Sequence, residues 1–535
     1  MTKKILAFLL CAVMCVSLFA GCGNSSAPAA APAATGAPAA AAPAATEAPA
    51  AAEPAAPKHL NVGWHAALKT IDPLKASWES NRLGVGETLT RISPDLDLIP
   101  WLADSWKQVD ELTWEFHIRD GVTFTNGKAC DAAAVMAALQ RSADNYGRAK
   151  TMLKIDTMEA DGQTLTIKTT TVNAALANNL VDHCAIIFDV EGLDAEDAIP
   201  VGTGPFAIAS WDHEGKMELV ANKNYWGGVP KLDTVTVTTI ADGNAQAMAL
   251  DNGEVDLTFQ MPTENVRQFI GNDQFVINKI TGSRSQMVYF NLENKFLSDI
   301  NVRKAISMAV DREALANIVN KGDSEAATAM FPASFSFGKV PGIACDLEGA
   351  KKLLADAGYT DSDGDGILDQ DGQSMSFRFL TYGSHGSLLP TFAEAMQDIL
   401  KELGISVDIS LNEYAAYTDQ LKAGEFDMAL GSNIMAPAVD PQYFADILFR
   451  TGADYNYGKY SNADVDALVA QLDAEFDPAK RVELALEMQK LIVEDCAWFT
   501  LGHLKFQVVS NAKVTGYETQ GTELYLLTAN TDIAG

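Results

Sequence analysis

Basic side chains are scarce in this sequence. Against 70 aspartates and glutamates stand only 39 lysines and arginines, for a formal net charge of −31. So little positive charge cannot neutralise a phosphate backbone, which excludes a nucleic-acid-binding role. It says little about a small solute, because excess surface carboxylates serve chiefly solubility. Beyond Cys22 close cysteine pairs are also missing: Cys130, Cys184, Cys345 and Cys496 stand far apart, with no CxxC spacing. They read as small buried hydrophobes, with disulfides among them as the alternative. The seven histidines, His59, His65, His117, His183, His213, His385 and His503, form no HxH or HxxxH pair, so no preformed metal site is visible. Only the fold could bring His65 and His183 together. A Gly-x-Ser-x-Gly elbow and a zinc-hydrolase helix are both lacking, which removes the main signatures of a secreted hydrolase. The chain is expected not to be an enzyme.

What is present begins at the first residues. Lys3 and Lys4 precede an apolar run from Ile5 to Ala20, and Phe19-Ala20-Gly21-Cys22 follows. A charged start, a short apolar core and small residues at the cut predict a secretory signal over residues 1–21. The run is short for a permanent membrane span. Small residues before a cysteine resemble the bacterial lipobox, in which the cysteine becomes the lipidated first residue of the mature chain. Phe19 departs from the usual leucine, and Leu18 stands one place earlier. An ordinary signal with a chance cysteine is the alternative. Residues 22–57 favour the anchor: after Cys22 they are almost all Ala and Pro. Such a stretch has too little large apolar surface to offset the entropy of ordering, and behind an anchor it would serve as a tether. Removing Lys3 and Lys4 makes the mature charge −33. The implied place is the outer face of a cell membrane, with the body lipid-anchored through Cys22.

Residues 58–535 are enough for a large two-lobed body. Leu60–Trp64 reads as a strand, and Leu112, Trp114, Phe116 and Ile118 alternate as one buried strand face. Thr164–Lys168 and Thr234–Thr238 are strands by β-branched content. Asp346 is a predicted N-cap, with Ala350, Leu353, Leu354 and Ala357 at helical spacing before Gly358. Thr391–Leu403 repeats that design, stops at Gly404 and leads into a strand at Ile405–Ile409. Helix, glycine stop and strand in succession predict a mixed α/β layer with a partly parallel sheet.

Several ordered blocks then carry a resemblance: Ile71-Asp72-Pro73, Glu87-Thr88-Leu89-Thr90-Arg91, Ile99 to Trp106, Ile118 to Gly127, Gly202-Thr203-Gly204-Pro205-Phe206, Asn224 to Gly228, Gly253 to Leu257, Tyr289-Phe290-Asn291, Val302 to Ile306, Ala357-Gly358-Tyr359 and Gly424 to Asp427. In this order and spacing they resemble the peptide/nickel class (family 5) of bacterial ABC-importer solute-binding proteins, from about Leu60 to Val514. Gly202-Thr203-Gly204 is no phosphate cradle, since the lysine and helix of a nucleotide loop are absent. Trp101, Trp106, Trp114 and Trp226 read as packing aromatics.

The resemblance implies an α/β, two-lobed periplasmic-binding-protein-like fold (type II, class C) with an extra subdomain in the first lobe. Lobe I would take residues 58–283 plus 505–535, with the subdomain at about 91–198, and lobe II residues 284–504. It implies capture of a peptide or peptide-like solute between closing lobes by a monomer, and delivery to an ABC permease and ATPase complex. A nickel or other metal chelate is the second solute class, and a ligand sensor without an importer a further alternative. No cofactor is expected.

Site residues follow by the same resemblance. Asp440, before Pro441, would pair with a ligand ammonium; a helix N-cap is the alternative. Arg148, in a polar loop of the subdomain, would meet ligand carboxylates, against a solvated surface arginine. Trp78, Tyr382 and Met435 are further ligand-binding candidates by loop placement. No histidine stands near Asp440, where nickel-type relatives carry one, which tilts the expectation toward peptides. Asp361, Asp363, Asp365 and Asp369, with Gly366, match nine positions of a calcium loop, but Gly372 stands where the bidentate glutamate belongs. A surface hairpin is favoured there, with structural calcium as the alternative.

Overall fold

A computed structural model describes residues 56–75, 78–195, 198–213, 215–383 and 388–535. The leader, Cys22, the Ala/Pro-rich segment up to residue 55 and His385 lie outside the described residues. Alternation produces the strands where expected. Leu60, Val62 and Trp64 of His59–Trp64 are fully buried, and Trp114, Phe116 and Ile118 form the inward face of Thr113–Ile118. The helix Leu347–Asp356 is capped by Asp346, whose Oδ1 accepts from the Gly349 amide at 2.8 Å. The next helix, Leu389–Glu402, starts two residues earlier than expected because Pro390 fits a first turn.

The main sheet joins eleven strands, ten of them in one path. From one edge run Ser406–Asn412, Ser376–Tyr382, Met428–Ile434, Phe275–Phe290, Trp498–Asn511, Leu257–Phe259, His59–Trp64, Thr234–Thr239, Lys216–Ala221 and Phe206–Trp211. The two long central strands, Phe275–Phe290 and Trp498–Asn511, pair antiparallel and link the halves. Parallel pairing lies on either side: His59–Trp64 with Thr234–Thr239 and Leu257–Phe259, and Ser376–Tyr382 with Ser406–Asn412 and Met428–Ile434. The central pair breaks register between Thr281 and Ser285, which face Lys505 and His503. A bulge of this kind bends and twists its strand. A separate four-stranded sheet, Ala103–Asp110, Thr113–Ile118, Thr164–Thr169 and Ile155–Asp161, carries the helices Ala132–Asn145 and Gly147–Leu153.

The ordered blocks converge on one carboxylate. Glu87 Oε1 accepts from Trp101 Nε1 and Tyr225 Oη, each at 2.7 Å, and its Oε2 accepts from Thr203 Oγ1 at 2.7 Å and Trp226 Nε1 at 3.0 Å. The glycines around Thr203 serve close approach: a Cβ on Gly202 would stand 2.0 Å from the Val85 carbonyl oxygen. Cys130, Cys184 and Cys496 are buried, Cys345 is exposed, and all four are free thiols.

Candidate functional site

The carboxyl ends of parallel strands leave a crevice where a sheet divides. Both halves of this sheet bring such ends to the register break. On one side His65 follows His59–Trp64 and Gln260 follows Leu257–Phe259. On the other, Tyr382 ends its strand, Tyr414 follows Ser406–Asn412, and Met435 follows Met428–Ile434. The Met435 amide donates to the Ser283 carbonyl at 2.7 Å, tying this loop to the crossing strand.

The tyrosines form one wall. Tyr382 lies 5.1 Å from Tyr414 and 4.8 Å from Tyr417 between ring centroids. Tyr414 and Tyr455 remain largely exposed, while Tyr382 and Met435 are buried. The facing wall is built from Trp78, the short helix Glu79–Arg82 and the small sheet's helices. Arg82 Nε donates to the Glu523 carbonyl at 2.7 Å and its Nη1 to Glu79 at 3.2 Å.

Arg148 bridges the halves. Its Nε and Nη2 donate to Asp182 at 2.9 and 2.6 Å, and its Nη1 donates to Tyr443 Oη at 2.9 Å. The guanidinium also lies over the rings of Tyr443 at 4.4 Å and Trp78 at 5.7 Å. Burial works against the Asp182 charge, but Arg148 and His183 more than offset it and hold this carboxyl well below its usual range. Lys154 to Asp446 at 3.0 Å and Asn178 Nδ2 to the Ala438 carbonyl at 3.1 Å complete the bridge.

The expected site residues therefore separate. Trp78 and Arg148 come together, and Arg148 is a half-buried partner of Asp182, not a fully solvated surface arginine. Tyr382 and Met435 stand at the strand ends opposite. Asp440 is engaged within the protein. Arg481 Nη2 donates to both of its carboxylate oxygens at 2.7 and 2.8 Å, and Arg481 Nε adds a contact at 3.1 Å. With Oδ1 also accepting from the Gln442 amide at 2.9 Å, the carboxylate is committed within the protein. Pro441, not Asp440, is the N-cap of the short helix Gln442–Phe444.

Histidine geometry is split. His183 Nδ1 lies 2.9 Å from Asp182, and its ring packs tilted against Trp78, 4.1 Å between centroids. His65 packs beside the stacked pair of Trp64 and Phe259, and its Nδ1 is buried without a hydrogen-bond partner among the described residues. Burial, reinforced by Arg82, lowers its imidazole to about 4. In the acidic hairpin, Asp361, Asp363 and Asp369 each place an oxygen within 4.8 Å of the others. Asp361 accepts from the Gly364 and Gly366 amides at 2.7 and 2.9 Å, and Asp369 from the Ser362 amide at 2.8 Å. Asp365 instead caps Ile367. No cluster of three metal-ligating side chains among the described residues includes a histidine.

Two α/β halves are joined by a crossing pair whose register breaks where their strand ends meet. Residues 97–456 match the family described as bacterial extracellular solute-binding proteins, family 5. This chain belongs to that family. Among family 5 relatives, the nickel-binding protein NikA of Staphylococcus aureus is 28% identical over 478 residues, 89% of this chain and 94% of its own. The oligopeptide-binding protein AppA of Bacillus subtilis is 28% identical over 454 residues, covering 80% of this chain and 82% of that one. A crystal structure of a nickel ABC transporter protein from Bacillus halodurans superposes with a TM-score of 0.76 at 30% identity, covering 89% of this chain and all of that one. The fold is thus the two-lobed, mixed α/β body of family 5 proteins. No described helix is long and apolar enough to cross a membrane.

The sequence did not single out Asp182 or Tyr414. The partners Arg148 and Tyr382 lie more than thirty positions away, and no local spacing marks the contacts.

Proposed function

We propose that this family 5 protein captures a peptide or peptide-like solute between its lobes and presents it to an ABC permease with its ATPase. It would act as a monomer, held at the extracytoplasmic face by a lipid on Cys22. The observation that carries this reading is the Arg148 bridge. One guanidinium from the residue 91–198 subdomain touches Tyr443 of the facing lobe and covers Trp78. A solute contacting both walls binds the closed state better than the open one and shifts the population toward it. Lobe I is assigned residues 58–283 and 505–535, and lobe II residues 284–504, with bending at the break between Thr281 and Ser285. Trp78, Arg148, Tyr382 and Met435 are proposed as solute contacts, and Asp440 is removed from that set.

A chelated metal is the second reading. It is favoured by the neutral His65 imidazole with an unpartnered Nδ1, and by the name of the Staphylococcus relative. Thermal-shift and small-angle scattering measurements on the mature body separate the two. A solute at 100 times its dissociation constant adds about 2.7 kcal/mol of stability, and closure lowers the radius of gyration. Millimolar peptides are expected to produce both effects. A response to nickel–histidine with none to peptides would establish the second reading instead.

A further inference from the structure

Three locally disfavoured residues meet in one charge cluster beside the Arg148 bridge. Lys154 ends the helix Gly147–Leu153 at φ 51° and ψ 34°. That left-handed conformation ordinarily falls to glycine or asparagine, because a Cβ crowds it. Asp473 stands in the last turn of the helix Ala463–Ala474, where the negative end of the helix dipole repels a carboxylate. Asp446 lies in the π-helical turn Ala445–Phe449, a rare form that recurs at functional sites. Residues kept where the backbone does not favour them point to a use for their side chains.

The cluster is a square of four charges drawn from both lobes. Arg450 Nη2 donates to Asp446 Oδ1 at 2.8 Å and to Asp473 Oδ2 at 2.6 Å. Lys154 Nζ takes the opposite oxygens, donating to Asp446 Oδ2 at 3.0 Å and standing 3.7 Å from Asp473 Oδ1. Gln442 Nε2 also donates to Asp473 Oδ1, and Gln442 Oε1 accepts from Arg481, whose charge Asp440 balances. Asp446, Arg450 and Asp473 belong to residues 284–504, and without Lys154 they keep one uncompensated negative charge. Lys154 comes from the 91–198 subdomain and makes the cluster neutral. The side chains of Lys154, Asp446 and Asp473 are 14–20% exposed, so these charges are less screened than charges in open water. Two uncharged contacts flank the cluster. The Ala174 amide donates to the Asp473 carbonyl at 3.2 Å, and Asn178 Nδ2 to the Ala438 carbonyl at 3.1 Å.

We infer that Lys154 is a positioning residue for capture: it latches the subdomain to lobe II where the lobes meet, and so sets solute affinity without touching the solute. Every bond of the latch runs from protein to protein, so the latch favours the closed form with or without a solute. A body already biased toward closure loses less affinity to the closing step. The latch acts chiefly on escape, because opening must part Lys154 from both carboxylates, and residence time carries most differences in affinity among variants of one site.

This inference rests on the proposed two-lobed capture, and its test tells the two apart. The radius of gyration of the mature body is measured by small-angle scattering without solute, for the natural protein, Lys154→Met and Lys154→Arg. Lys154→Met is expected to be the largest, with Lys154→Arg close to the natural protein. Trialanine and nickel–histidine are then bound to each, and whichever binds is expected to leave Lys154→Met at least about fivefold faster. Its association rate should change little. Equal radii for the natural protein and a folded Lys154→Met overturn the inference and leave solute capture standing. Faster dissociation that Lys154→Arg does not reverse also overturns it, since the lost property is then not the charge. Where neither probe binds, the capture reading fails while the radii still decide the latch. Should Lys154→Met not fold, the natural protein decides. Its radius is expected to rise between low salt and about 1 M sodium chloride, where the screening length falls to about 3 Å, and an unchanged radius overturns the latch.

Discussion

Arg481 and Asp440 illustrate how a single side chain changes meaning once its neighbours are known. An aspartate before proline, in a loop beyond a strand, has the chemistry to receive a ligand ammonium. Burial to 7% beside a guanidinium gives it a different role. A buried ion pair adds little net stability, but removing one partner strands the other charge, at about 3–5 kcal/mol. Asp440→Ala is therefore expected to lower the unfolding free energy by about that amount, read from urea denaturation. Peptide affinity of the remaining folded protein should be unchanged. A variant as stable as the parent but weaker for peptide would return Asp440 to the site. Arg148 moved the other way: its loop reads as solvated, and Asp182, 34 positions on, makes it a half-buried bridge.

Elements were legible where local chemistry suffices. Asp346, the apolar spacing after it and Gly358 define one helix in the sequence and in the fold, because capping and amphipathicity act within a few residues. The acidic hairpin is also local, yet its meaning depends on where each oxygen points. Asp361, Asp365 and Asp369 direct oxygens at amides of the turn, and Asp363 does the same with the Asp365 amide at 3.2 Å. Such a turn holds its shape without an ion, as Asx turns do. Titration with millimolar calcium is accordingly expected to give no binding heat and no change in melting temperature. A saturable isotherm lost in Asp363→Asn would instead establish structural calcium. The register break between Thr281 and Ser285 is an element-scale feature no spacing announces, since a bulge exists only relative to the partner strand.

For the whole molecule, two imidazoles set an acid limit. His503 is 2% exposed, with Nδ1 2.8 Å from Ser285 Oγ, and burial lowers it to about 3. His65 falls to about 4. In the unfolded chain both accept a proton near pH 6.5. Protonation thus favours unfolding: the stability is complete above pH 6.5 and declines as pH falls toward 4 and then 3. Each histidine contributes about 1.4 kcal/mol per pH unit in that window, so the two together remove roughly 4 kcal/mol by pH 5. Melting temperature measured from pH 7.5 to 5 should drop, and His503→Gln should flatten the slope. A pH-independent melting curve for the parent over this range would show that neither imidazole is held neutral by the fold.

By itself the sequence determined the class of molecule. Leader, acidic composition, capped helices, alternating strands and the ordered family 5 blocks are each written in nearby residues. Packing chemistry at that range is carried by types and spacings. Tertiary structure alone decided that Glu87 joins its own block to three others through Trp101, Thr203, Tyr225 and Trp226. It also decided that Asp440 is committed to Arg481 and that Arg148 faces Tyr443. A hydrogen bond between residues hundreds of positions apart leaves no local signature. Whether a charge is satisfied or available depends on the partner the fold brings to it.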